Sequence, residues 1–142
     1  MMTKIILTES HLKFNLRQYF TLSNTHMKFL KIFFGVLFLL FVIVQYNDPD
    51  PLLWMVIYGI ASAVFFLSAA NIYYKKVTLG IIIAGALYSL VYIPGVYDWF
   101  TIGQAGELVA SMKVDKPYVE ESREFFGLWI ALLALIYLYK KS

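Results

Sequence analysis

Four apolar stretches, near residues 29–46, 52–72, 77–95 and 123–139, dominate this chain and narrow what it can fold into. At 1.5 Å of rise per residue each is about long enough to cross a hydrocarbon core of about 30 Å as a helix. The purely apolar part of the last, Phe125–Tyr139, is short. It reaches spanning length if the helix begins upstream, among Glu120–Glu124. The expectation is an all-α membrane protein, an antiparallel four-helix transmembrane bundle.

The charges between the stretches alternate in sign. Lys4, Lys13, Arg17, Lys28, Lys31, Lys75, Lys76, Lys140 and Lys141 fall on one side, with Glu9 as the single acid among them. Asp48, Asp50, Asp98, Glu107, Asp115, Glu120, Glu121 and Glu124 fall on the other, with Lys113, Lys116 and Arg123. Loop lysine and arginine set topology, which predicts cytoplasmic N- and C-termini and an acidic outer face. The location expected is an integral membrane one, the inner or cell membrane if the source is prokaryotic.

Composition agrees. Apolar residues make up 61% and charged residues 15% of the chain, against about 45–50% and about 25% in soluble domains. The net charge of +3 lies beside span ends, where anionic headgroups and topology account for it, so nucleic acid is not an expected partner. Cysteine is absent, which excludes disulfides, thiolate nucleophiles and sulfur-ligated metals.

Residues 1–27 stand apart from the spanning domain, 28–141. Met27, followed by Lys28, Lys31 and an apolar run, reads as a natural membrane-protein start, with the preceding segment as a mis-assigned extension. A weak amphipathic helix around Leu12–Phe20 is the competing reading. No small-residue cleavage site follows the first stretch, so it is an uncleaved anchor. Asn47–Pro51 is short enough to force a hairpin between the first two spans, and Tyr73–Lys76 makes the second tight connection. In the third connection Ala105, Leu108, Val109 and Met112 recur at helical spacing, which predicts a short amphipathic outer-face helix anchored by Trp99, with Gly103 and Gly106 opposing it. Small-residue pairs in the spans, Gly59/Ala63, Gly80/Ala84, Gly85/Ser89 and Gly127/Ala131 with Ala134, read as packing seams.

No ionisable group lies mid-span, which argues against a pump, a coupled transporter or a membrane-centre catalyst. Polar information gathers instead in two outer-face clusters. The first is Asn47-Asp48-Pro49-Asp50-Pro51, with Trp54 and Tyr58 following. Proline disfavours the helical region for the residue before it, so Asp48 and Asp50 should be extended. Asp50 should cap a helix that has Pro51 at its first position, and Asp48 can form an Asx turn. The second cluster is Glu120-Glu121-Ser122-Arg123-Glu124. Carboxylates there complement the helix dipole. Glu120 and Glu124 also continue the Gly127–Ala131–Ala134 stripe toward the bundle, and Arg123 is placed to pair with Asp48 or Glu120. Ser122 has no histidine partner, and His11 and His26 have no ligand spacing.

The two clusters together, Val44-Gln45-Tyr46-Asn47-Asp48-Pro49-Asp50-Pro51 with Trp54 and Tyr58, then Glu120 through Leu128, resemble the transmembrane protein 220 family over about residues 28–141. The resemblance implies a small multi-span membrane protein and brings no biochemical activity with it.

The candidate site is therefore Asn47, Asp48, Asp50, Trp54, Glu120, Glu121, Arg123 and Glu124. Three roles are open for it. The first is a non-enzymatic structural clasp, or docking point for a membrane-protein partner or second copy. The second binds or transports a cation, such as calcium, or a small amine. The third is an enzyme using outer-face carboxylates as acid and base. The absence of a nucleophile or cofactor motif points away from the third. No cofactor is expected, and whether a metal binds is open.

Overall fold

The computed structural model describes residues 25–48, 50–109 and 116–142. Four helices among them are long and apolar enough to cross a membrane: Thr25–Asn47, Pro51–Ala69, Lys75–Ile102 and Pro117–Lys141. We label the first α1, which closes with a 3-10 turn at Gln45–Asn47, and the second α2. The third span is two helices, α3 (Lys75–Tyr88) and α4 (Ile93–Ile102), joined through a 3-10 turn at Ser89–Tyr92. The fourth is α5 (Pro117–Lys141). The protein is an all-α transmembrane bundle.

Packing is organised around α5, which touches α2, α3 and α4. Its buried face carries Leu128, Ala131, Leu132, Ala134, Leu135 and Leu138. Against it α2 sets Trp54, Tyr58, Ala61 and Phe65. Helix α1 packs on α2: Phe38 is fully buried and stacks on Tyr58 and Phe65 at centroid distances of 6.2 and 5.8 Å. Each such ring pair contributes about 0.5–1.5 kcal/mol beyond area burial. Ser62 Oγ donates to the Gly35 carbonyl at 2.8 Å, holding the hairpin at mid-depth. Large apolar side chains such as Phe29, Leu52 and Leu133 point outward. In water that would be an aggregation surface, and in lipid it is the solvated one.

The seams divide. Ala131 and Ala134 are buried, and a Cβ on Gly127 would run into the Tyr58 hydroxyl. Gly85 lies against Leu132, where an added Cβ would come within 2.7 Å of Cδ2, and Ser89 is buried. Gly80 faces open space and Ala63 is exposed, so those two pairs are not seams within the bundle. Equal spacing on a helix does not say which face turns inward.

The third span differs from its expected limits of 77–95. Its 28 residues rise about 42 Å, well beyond the core thickness. Trp99 and Phe100 therefore end a helix instead of opening a loop. Pro94 sits in the first turn of α4, where its missing N–H goes unused, so the proline restarts the helix.

The expected amphipathic helix is, in its described part, a 3-10 turn at Ala105–Val109. Gly106 inside the segment weakens an α-helix, as the sequence warned. Met112, Lys113 and Asp115 lie outside the described residues, as do residues 1–24 and the readings made for them. At the other end of the bundle, α2 ends at Ala69, and just beyond its cap Asn71 takes a positive φ of 63°. The N–H of Ile72 then reaches back to Leu67 O at 2.8 Å, closing the helix end.

Candidate functional site

The end of α1 and the start of α5 meet at one end of the bundle. Asp48 leaves the α1 terminal turn with φ −75° and ψ 151°, extended as the following proline requires. On α5, Glu120 and Glu124 stand one turn apart on the face that continues to Gly127 and Ala131. The three residues each offer a carboxylate oxygen within 4.8 Å of the others. They line a cavity of about 120 Å³ with Gln45, Trp54, Tyr58 and Arg123.

The cavity floor is aromatic and dry. Trp54 and Tyr58 are 1% and 4% exposed. Trp54 donates its indole Nε1–H to Glu124 Oε1 at 2.9 Å, a charge-assisted bond when the carboxylate is ionised. Glu124 also interacts with the Tyr92 hydroxyl, and Gln45 with that of Tyr58. The Tyr92 hydroxyl is also hydrogen-bonded to that of Tyr88 at 2.9 Å. A larger cleft of about 370 Å³ shares Gln45, Tyr58 and Arg123 with the cavity.

Not all the sequence candidates join this pocket. Asp48, Trp54, Glu120, Arg123 and Glu124 do. Asn47 and Asp50 are exposed on the turn beside it. Asp50 occupies the N-cap position before Pro51, but its side chain makes no capping bond. Its ψ of 60° is outside the extended region from which a cap side chain normally reaches back. Instead its N–H points to Asp48 Oδ1 at 3.5 Å, the outer limit of an Asx bond. Glu121 faces the third span, where it fills the space that a Cβ on Gly95 would need. Beside it Ser122 Oγ donates to Gly95 O at 3.3 Å.

Arg123 bridges the pocket to the connection above it. Its Nε and Nη2 donate to the carbonyls of Leu108 and Glu107, both at 2.8 Å. The Glu107 carboxylate in turn accepts from Lys116 Nζ, from Tyr118 at 3.2 Å and from the Gln104 N–H at 3.1 Å. The Lys116 ammonium holds the Glu107 carboxyl below the usual carboxylate range, and Glu107 raises Lys116 in return. This capping cluster was not foreseen. Its only advance signal was Glu107 opposite the apolar positions, which reads equally as a solvated face. Gln45 and Tyr58 were visible as polar groups within apolar spans, but their shared cavity was not.

Chemically, three converging carboxylates beside an amide and two aromatic rings suit a hard cation or an ammonium. Two ionised carboxylates 4.8 Å apart repel by roughly 3 kcal/mol at an effective dielectric constant of about 20. A cation among them removes that repulsion.

Fold and site define a small multi-pass integral membrane protein with an acidic pocket where its first hairpin meets its last helix. Residues 37–140 match the family described as transmembrane family 220, helix, and the chain belongs to that family. No curated protein and no solved structure matches the chain.

Proposed function

We propose that this membrane protein is a non-enzymatic module whose acidic pocket binds a cation, and that the bound cation fastens the α1–α2 hairpin to α5. The observation that carries the reading is the meeting of Asp48, Glu120 and Glu124 oxygens within 4.8 Å, from segments about 70 residues apart. Calcium fits the all-oxygen donor set, with water completing its usual 6–8 ligands. A small amine fits the aromatic walls as well. Clasp and binding site are then one device, with the cation as its pin.

The lysine distribution supports an exoplasmic pocket, with Lys75 and both termini on the cytoplasmic side. Single cysteines at Lys75 and Asp98, labelled in sealed membranes, should react from opposite sides. Labelling from one side would end this orientation.

The binding test is thermal unfolding of the full chain in neutral detergent, starting in chelator. Added calcium, or ethanolamine in a parallel series, should raise the melting temperature saturably. A melting temperature indifferent to calcium, magnesium and ethanolamine alike would refute cation binding and leave a purely structural contact.

A further inference from the structure

At the opposite end of the bundle, the start of α1 and the end of α2 enclose a second cavity of about 430 Å³. Lys28 and Lys31 line it from α1, Ser68 from the last turn of α2 and Asn71 from just beyond it, and no carboxylate is among its described lining residues. Lys28 and Lys31 are three apart on one helix, so their ammonium groups share a face and repel each other.

Ser68 is the second, independent sign. Among the described residues five serine and threonine side chains in the spans are buried: Ser62, Ser68, Thr78, Ser89 and Ser122. Four of them donate to backbone carbonyls, at Gly35, Tyr74, Ala86 and Gly95 respectively. Ser68 is 1% exposed, and its Oγ has no partner, a state shared among the described residues by the Tyr73 hydroxyl and Trp129 Nε1, neither of which lines this cavity. An unpaired buried hydroxyl is destabilising and is normally avoided. Helix-end capping engages only part of the lysine beside it. The Ser68 carbonyl accepts from the Asn71 N–H at 3.1 Å and, over a long 3.5 Å, from Lys31 Nζ, and an ammonium with three donors keeps two for another acceptor. Ser68 is itself a lining residue of the cavity, and a ligand there requires its hydroxyl to turn into that space.

We infer that this cavity binds a phosphate group, carried by an anionic phospholipid or free in solution. Its oxygens accept from both ammonium groups and from the Ser68 hydroxyl, relieving the lysine repulsion and the orphaned donor together. The cavity lies at the end of two spans, the level at which a bilayer presents its headgroups.

The test uses the full chain in detergent, with phosphatidylglycerol against phosphatidylcholine as lipid probes and inorganic phosphate against chloride at equal ionic strength. Retention of lipid is read by native mass spectrometry, and stabilisation by melting temperature. Phosphatidylglycerol should be retained about tenfold over phosphatidylcholine, the effect of a few charge-assisted bonds. Lys28→Gln with Lys31→Gln should abolish the preference, and Lys140→Gln with Lys141→Gln should keep it. Ser68→Ala should weaken retention about threefold or more while leaving the lipid-free melting temperature unchanged or higher, because it deletes an unsatisfied group. Stabilisation by inorganic phosphate as well would identify the phosphate itself as sufficient, and stabilisation by the lipid alone would assign the site to a headgroup. Retention unaffected by the Lys28/Lys31 pair or by Ser68→Ala, or lowered equally by the Lys140/Lys141 pair, would overturn the inference.

Discussion

Replacing Asp48 with Asn removes one charge from the acidic pocket while keeping the side chain's shape and an oxygen for the Asp50 N–H. In the wild type Asp48 faces Glu120 and Glu124 within 4.8 Å. Each ionised pair costs roughly 3 kcal/mol at an effective dielectric constant of about 20. Asp48 is half-buried, so solvent screening reduces the sum, and a net relief of about 1–3 kcal/mol is expected for Asp48→Asn without cation. For a chain of this size that corresponds to a melting temperature higher by roughly 3–10 °C. With saturating calcium the order reverses, because the wild type gains the cation's binding energy and the variant has lost a ligand. The assay is a melting curve of each protein in chelator and in calcium, with phosphate-free buffer throughout. The crossing of the two orders is the signature. If Asp48→Asn melts lower than wild type in chelator, the carboxylates are not held against mutual repulsion, and the argument from their convergence fails.

Gly127→Ala should destabilise the bundle by about 1–3 kcal/mol, since the added methyl meets the Tyr58 hydroxyl; combining it with Tyr58→Phe should recover much of the loss in denaturation curves. The capping cluster should depend on pH in a defined window. Glu107 is depressed in the folded protein, so its contribution is present above the ordinary carboxylate value of 4.5 and is lost as pH falls through its lowered value. Lys116 is raised, so its contribution is present below 10.5 and is lost as pH rises through its raised value. Proteolysis or amide exchange at residues 104–109 should therefore be slow between those limits and faster outside them, and Lys116→Gln should move the acid-side loosening toward the ordinary carboxylate range.

Much of this architecture was legible before any coordinates. The apolar runs, the short Asn47–Pro51 connection and the helix start at Pro51 follow from local chemistry. So does the shared face of Glu120 and Glu124, because residues four apart on a helix must align. The limits of the third span were not legible. The apolar run gives an end near residue 95, and only the packing of α4 on α5, around Gly95, shows that the helix restarts and runs on to Ile102. Asp50 followed a sound capping rule, yet the turn bends its backbone away from the geometry that rule needs.

What the residues determined by themselves is that this chain lives in a bilayer, crosses it as helices and concentrates its acids at one end, since hydrocarbon admits little else. The tertiary structure decided which of those acids meet. Helical periodicity orients side chains within one helix, but it says nothing about how two helices rotate against each other. That rotation was set by the stacking of Phe38, Tyr58 and Trp54 and by the tight approach of Tyr58 to Gly127. The same contacts bring Asp48 to Glu120 and Glu124 and leave Asn47, Asp50 and Glu121 outside.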